Sequence, residues 1–231
     1  MVTKTELTDY IHKTIAIDPW TVDEGRVVPA TSDIALNNGA RRFELATFLY
    51  ADLNGSTNMV EELGWGRSAE IYKTYLYCAS RLIRHFDGEV VAFDGDRVMG
   101  VFLGGTQSTN AVRCALRINW ARLKLIQPAY DGHYEAGFSI GHTIGIDASE
   151  VRCCRTGVRG DNDLLWVGSA PNIAAKLTSL SEYPIWITDT IYKRIADEVK
   201  TYSDGRNMWE ERQWTARNNR VIYRSNWYWS L

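Results

Sequence analysis

The chain has 231 residues, 45% of them hydrophobic and 23% charged, which suits one large soluble domain or one domain with an extension. A formal net charge of −2 argues against a general nucleic-acid or membrane-surface binder, no apolar run is long enough to span a bilayer, and Met1–Thr14 lacks a signal-peptide pattern. Cys78, Cys114, Cys153 and Cys154 have neither the spacing nor the context of a disulfide frame or a zinc site, so reduced thiols in a cytoplasmic protein are expected.

Residues 1–42 read as an N-terminal extension. TELTDYIHKTIAI predicts a short helix with Thr5 as its cap, and a polar, turn-rich arm follows. The main domain is expected over 43–231. FELATFLYADL predicts a buried strand ending at Asp52, and NGST a loop after it. In SAEIYKTYLYCASRLIRHF the residues Ile71, Tyr75, Cys78, Leu82 and Phe86 recur at helical spacing. VVAFDGDRVMGVF then places two β-branched and aromatic runs around Asp94-Gly95, a pair that suits a type I′ hairpin turn.

STNAVRCALRINWARLKLIQ predicts a second helix capped by Ser108 or Thr109. YEAGFSIGHTIGIDAS reads as a strand and VRCCRTGVRGDNDLLWVG as a longer hairpin-like segment. SAPNIAAKLTSLS is a helix, PIWITDTIYKRI a strand and helix, and RNNRVIYRSNWYW a closing strand. The order β-α-β-β-α-β, with further αβ units, predicts an α+β fold of ferredoxin-like type. Its sheet should be mostly antiparallel with helices on one face.

In such a fold the end of the first strand and the tip of the hairpin share one sheet edge. Asp52 and Asp96 then stand together. Two carboxylates beside a glycine-containing loop suit Mg²⁺ or Mn²⁺, which take oxygen ligands and leave room for phosphate. The backbone N–H groups of Leu53, Asn54, Gly55, Ser56 and Thr57 could cradle a polyphosphate. Taken singly, each motif is also an ordinary turn or loop.

In order and spacing these residues resemble the catalytic domain of class III nucleotidyl cyclases, the adenylate and guanylate cyclase family, over roughly residues 43–224. The residues that carry the resemblance are YADLNGST, FDGDRVMGVF and PNIAAKL. The resemblance implies that Asp52 and Asp96, with Leu53 between strand and loop, hold two divalent ions, while Asp94 makes the turn. It implies that Asn172 orients the ribose and that Lys176 stands in place of the family's transition-state arginine. Arg152, Arg155, Arg159, Arg217 and Arg220 are further basic candidates. It also implies a homodimer with the metal half and the Asn172/Lys176 half of each site on different protomers.

The family's two base-reading positions are Ala92 and Leu165, and neither side chain can hydrogen-bond a base edge. With Tyr50 and Phe93 they are expected to line a pocket filled by bulk, which suits a pyrimidine. This pattern resembles the pyrimidine cyclases of bacterial Pycsar antiphage systems. It implies a cyclase that makes cyclic UMP or cyclic CMP, uracil favoured, for a cyclic-nucleotide-gated effector. The alternatives are a purine cyclase with an altered base pocket and an inactive cyclase-like regulatory domain.

Overall fold

The computed structural model describes residues 2–134, 137–158 and 161–231. Helix α1, Lys4–Ile15, is capped by Thr3 rather than Thr5. Thr3 keeps an extended backbone, so its hydroxyl can accept the Glu6 N–H at 3.2 Å, while Thr5 lies inside the helix. Strand β1, Thr21–Glu24, pairs in parallel with residues 39–42 at the start of β2, Gly39–Leu53. The sheet therefore takes in part of the N-terminal extension.

Helix α2, Ser56–His85, begins twelve residues before the periodic run and breaks at Gly64, which has φ 78° and ψ 165°. Strands β3, Gly88–Asp94, and β4, Arg97–Phe102, form the expected hairpin. Helix α3, Gln107–Ala121, has Thr106 at its N-cap. Ser108 and Thr109 do not cap it, because their hydroxyls serve tertiary bonds to Thr47 and to the Ala196 N–H. A π-helical turn, Arg122–Ile126, joins α3 to α4, Gln127–His133.

Strand β5, His142–Val158, runs without interruption through two segments the sequence separates, and turns back as β6, Asp161–Gly168. Helix α5, Ser169–Leu177, leads through β7, Ile185–Thr188, to α6, Asp189–Arg194. Strands β8, Glu210–Trp214, and β9, Arg220–Ser225, close the chain. The sheet order is β3-β4-β2-β5-β7-β9-β8, with β1 beside β2 and β6 beside β5. Within it, β5-β2-β4-β3 is the ferredoxin-like arrangement, mostly antiparallel as expected.

Strand alternation gives the sheet two faces. Leu49, Ala51, Leu53, Val98, Ile144 and Ile146 pack against Tyr75, Ile83, Val112 and Leu116 of α2 and α3. Phe48, Met99, Val151 and Trp166 form a second cluster on the other face with Ala170 and Ala174 of α5. The helices are thus not confined to one face, because α5 crosses to the other. Gly145 permits this crossing. A Cβ there would lie 2.1 Å from the Ala174 carbonyl oxygen, so only glycine lets the helix backbone lie on the strand.

Candidate active site

Asp52 lies on the α5 face near the end of β2. In register it stands opposite Arg97 of β4 and Thr143 of β5. The turn between β3 and β4 is Gly95–Asp96, since Asp94 already pairs with Arg97. Gly95 has φ 61°, and Asp96 is not among the non-glycine residues with positive φ. Positive φ at the first central position alone is the type II′ pattern, so the expected Asp94-Gly95 turn of type I′ is corrected by one residue. Glycine takes that position without strain. Asp94 instead ends β3, exposed, in an ion pair with Arg97 at 2.5 Å.

The shift leaves Asp96 in the turn itself, with its Oδ2 buried and without a hydrogen-bond partner. Burial pushes the Asp52 carboxyl up to about 6, helped by the negative charge of Asp96 and opposed by Arg97 and by the Thr178 hydroxyl. An orphaned carboxylate oxygen beside a second carboxylate of raised pKa fits a divalent cation with oxygen ligands. Among the described residues no cluster of three or more His, Cys, Asp or Glu forms, so the protein side of such a site is two carboxylates. The Leu53 side chain is in the helix-face core, which leaves its carbonyl as the only oxygen it could offer.

The loop after β2 is held by its own side chains. Asn54 donates its N–H to the Gly141 carbonyl at 3.0 Å, and its Oδ1 accepts the Thr143 hydroxyl at 2.8 Å. The Asn54 backbone N–H is therefore an anchor and not a free phosphate donor. Gly55 has φ 64° and precedes α2, which opens at Ser56 and not at Thr57. No side chain caps this helix, so the first-turn N–H groups at Ser56 and Thr57 remain available beside Asp52.

Asn172 and Lys176 are exposed on α5. The Asn172 side chain donates to the Gly168 carbonyl at 3.1 Å, and Lys176 has no ion pair among the described residues. Thr178, just past the helix end, reaches Asp52 Oδ2 at 3.3 Å. At about 100° per residue, Lys176 stands roughly 160° and Asn172 roughly 120° around the axis from Thr178, so both lie off the side that meets their own Asp52.

The base-pocket set does not converge in one chain. Tyr50 and Ala92 pack on the α5 face with Met99. Phe93 pairs with Val98, a helix-face residue, and is exposed on that opposite side. A register shift between Val90 and Ala92 sets this alternation. Leu165 also faces away from Tyr50. Its neighbour Trp166 takes the inward position against Phe48, and Leu165 lines a groove with Tyr10, Trp20 and Val22. Arg152 and Arg155 line the same groove, and Arg159 lies outside the described residues. Arg217 sits over the Trp214 ring, whereas Arg220 extends toward the fully buried Asp147 at 3.4 Å.

Two residues were missed by sequence reasoning. Arg97 stands opposite Asp52, pairs with Asp94 and lies 5.4 Å from the Tyr50 ring centroid. Its place directly after Asp96 is a signal that could have found it. Thr178 carries no such signal, because its contact spans 126 residues.

No protein-family model matches the chain. It is 47% identical over 213 residues to a uridylate cyclase of Burkholderia cepacia, covering 92% of each chain. It is 46% identical over 230 residues to a uridylate cyclase of Xanthomonas perforans, covering 99% of this chain and 98% of that one. Its fold is similar to the crystal structure of the adenylyl cyclase CyaB from P. aeruginosa, with a TM-score of 0.68 at 22% identity, covering 80% of this chain and 95% of that one. With the paired aspartates on a ferredoxin-like sheet, these likenesses show that the chain belongs to the uridylate cyclase family and has the class III nucleotidyl cyclase fold.

Proposed function

We propose that this chain converts UTP to 3′,5′-cyclic UMP and pyrophosphate at a site shared by two protomers. The observation that carries the reading is the Asp52–Asp96 pair with its orphaned oxygen, in a chain 47% identical to a uridylate cyclase. In this reaction the ribose 3′-oxygen loses its proton and bonds to the α-phosphorus. The bond from that phosphorus to the bridging oxygen breaks, and pyrophosphate leaves. Two Mg²⁺ or Mn²⁺ ions, held by Asp52, Asp96 and the Leu53 carbonyl, would make the 3′-hydroxyl more acidic and offset phosphate charge.

The first-turn N–H groups at Ser56 and Thr57 offer donors to the triphosphate. Arg97 limits the repulsion between the carboxylates. Asn172 orients the ribose, and Lys176 offsets charge developing on the α-phosphate. Both are turned away from the aspartates of their own chain, which supports their service to the partner's pair in a C2 homodimer. Arg220, on the α5 face, is a second cation on that half. A guanidinium presents a forked donor set that Lys176 lacks.

For the base, Tyr50 and Ala92 remain as the intrachain lining, and readout rests on Tyr50, the backbone and shape. No described helix is long and apolar enough to cross a membrane. We place the protein in the cytoplasm, with cyclic UMP as a messenger to a cyclic-nucleotide-gated effector in antiphage defence. Incubation with each nucleoside triphosphate and Mn²⁺, with products resolved by mass spectrometry, tests the reaction. Cyclic UMP and pyrophosphate are expected from UTP, and conversion of ATP alone would overturn the reading.

A further inference from the structure

At the far end of β2 from Asp52 the chain builds a second polar site. β4 ends at Phe102, and Leu103-Gly104-Gly105-Thr106 leads into α3. Gly104 has φ 93°, and a Cβ on Gly104 or Gly105 would meet nothing within 4 Å, so this loop is open on its outer side. Thr106 does not cap the helix through its side chain. The hydroxyls that could have turned back to cap it, on Ser108 and Thr109, are bonded to Thr47 and to the Ala196 N–H. The first internal bond of α3 is from the Asn110 N–H to the Thr106 carbonyl. The N–H groups before it therefore lack partners within the helix, at the end that carries partial positive charge.

A cavity of about 560 Å³ opens over this strand–glycine–helix junction, and a neighbouring one of about 270 Å³ continues along α3. Arg194, at the end of α6, lines both, and Arg26 lines the larger. Neither arginine has an ion pair among the described residues. Gln107 lines both cavities while only 7% exposed. Its Nε2 donates to the Leu45 carbonyl at 3.4 Å, and its Oε1 is buried without a partner. Glu44 also lines the larger cavity.

These groups define complementary chemistry. Two guanidinium groups and an uncapped helix terminus call for an anion, and the fork of arginine suits phosphate. The Gln107 Oε1 and the Glu44 carboxylate are acceptors, which phosphate oxygens cannot satisfy and hydroxyl groups can. The volume exceeds that of a bare phosphate and falls within the usual range for small-ligand sites, about 300–1,000 Å³. We propose that this cavity binds a small phosphorylated molecule bearing hydroxyls, of the sugar-phosphate class, at a site separate from the cyclase centre. Leu45 and Asp52 are seven steps apart along the strand, roughly 23 Å at ~3.3 Å per residue, so one ligand cannot occupy both.

The test is a calorimetric titration of the full chain at constant ionic strength, with ribose 5-phosphate and with inorganic phosphate as probes. Both arginines are surface residues, so the Arg26→Ala, Arg194→Ala double variant is expected to fold. Saturable binding of ribose 5-phosphate, one per chain, is expected, with inorganic phosphate several-fold weaker. The double variant should weaken ribose 5-phosphate at least tenfold, and an Asn172→Ala, Lys176→Ala variant should leave it unchanged. No saturable binding, equal affinity for the two probes, binding unmoved by the arginine variant, or binding lost with Asn172 and Lys176 would each overturn the proposal.

Discussion

Thr178 Oγ1 lies 3.3 Å from Asp52 Oδ2, so the residue just past α5 is tied to the carboxylate near the end of β2. The same hydroxyl lies 2.8 Å from the Ala175 carbonyl, and its single hydrogen is shared between the two acceptors. The bond therefore orients Asp52 while only partly lowering its pKa. Hydrogen bonds to charged groups are worth about 1.5–3 kcal/mol, and a shared, long one falls at the low end. Thr178→Val is expected to lower the apparent Mn²⁺ affinity by about tenfold on that scale. Thr178→Ser should restore it, and a Mn²⁺ titration of the initial rate reads both.

Asp52→Ala and Asp96→Ala should each abolish cyclisation while circular dichroism and melting stay close to wild type. Neither carboxylate supports the fold through a strong hydrogen bond of its own. Asp94→Asn is different. Its partner is Arg97 and its side chain is 75% exposed. Exposed pairs are worth up to about 1 kcal/mol, so a rate loss of no more than about fivefold is expected. Wild-type rates in Asp52→Ala or Asp96→Ala would remove the metal assignment.

Mixing the inactive Asp96→Ala and Lys176→Ala proteins should recover part of the activity. Lys176 is turned away from its own aspartates, so a heterodimer of the two variants would carry one intact site. Subunit exchange is followed separately with affinity-tagged chains. Exchange without recovery would mean that Lys176 acts on its own chain or not at all.

Gly145→Ala tests how α5 is seated. The added Cβ would lie 2.1 Å from the Ala174 carbonyl oxygen and 2.7 Å from the Leu177 Cβ, and neither belongs to a flexible side-chain end. Overpacking of this kind costs about 1–3 kcal/mol. A lower melting temperature is expected together with reduced activity, because lifting α5 moves both Lys176 and Thr178. A stable, fully active Gly145→Ala protein would show that α5 does not need this close approach.

The parts of the site that could be read from sequence are those fixed by local signals. Asp52 ends a hydrophobic run before a glycine loop, and Asp96 sits in a glycine turn, so the ferredoxin-like order alone brings them to one edge. Residues whose face depends on register were not legible. Phe93 is set by the shift between Val90 and Ala92, and Leu165 by the competition with Trp166 for the inward position. The place of α5 depends on Gly145, which reads in sequence as one more small residue in a strand. Strands β1 and β8 were also missed. Both are short, β1 has a fully exposed pattern, and β8 has only one buried residue. Neither carries the apolar alternation that marks a half-buried strand.

Selection of the base follows from what remains on the α5 face. Burial pushes the Tyr50 hydroxyl up, so it stays protonated through neutral pH and can donate. The guanidinium of Arg97 lies 5.4 Å from the Tyr50 ring centroid and sets one positive charge beside that hydroxyl's ring. Uracil presents the O4 carbonyl where cytosine presents an amine. A donor beside a cation favours the carbonyl. Asp94, the exposed carboxylate at this corner, is already paired with Arg97 and so is not free to accept the amine, while Asp52 and Asp96 are assigned to metal. An unpaired polar group at a base edge costs roughly 1–3 kcal/mol, so UTP should be converted at least about tenfold faster than CTP. Tyr50→Phe keeps the ring and removes the donor. It should lower kcat/KM for UTP by about tenfold and leave CTP nearly unchanged, which narrows the ratio between them. Equal losses for both substrates would assign Tyr50 to packing, and a wild-type preference for CTP would reverse the choice of base while leaving the two-aspartate site intact.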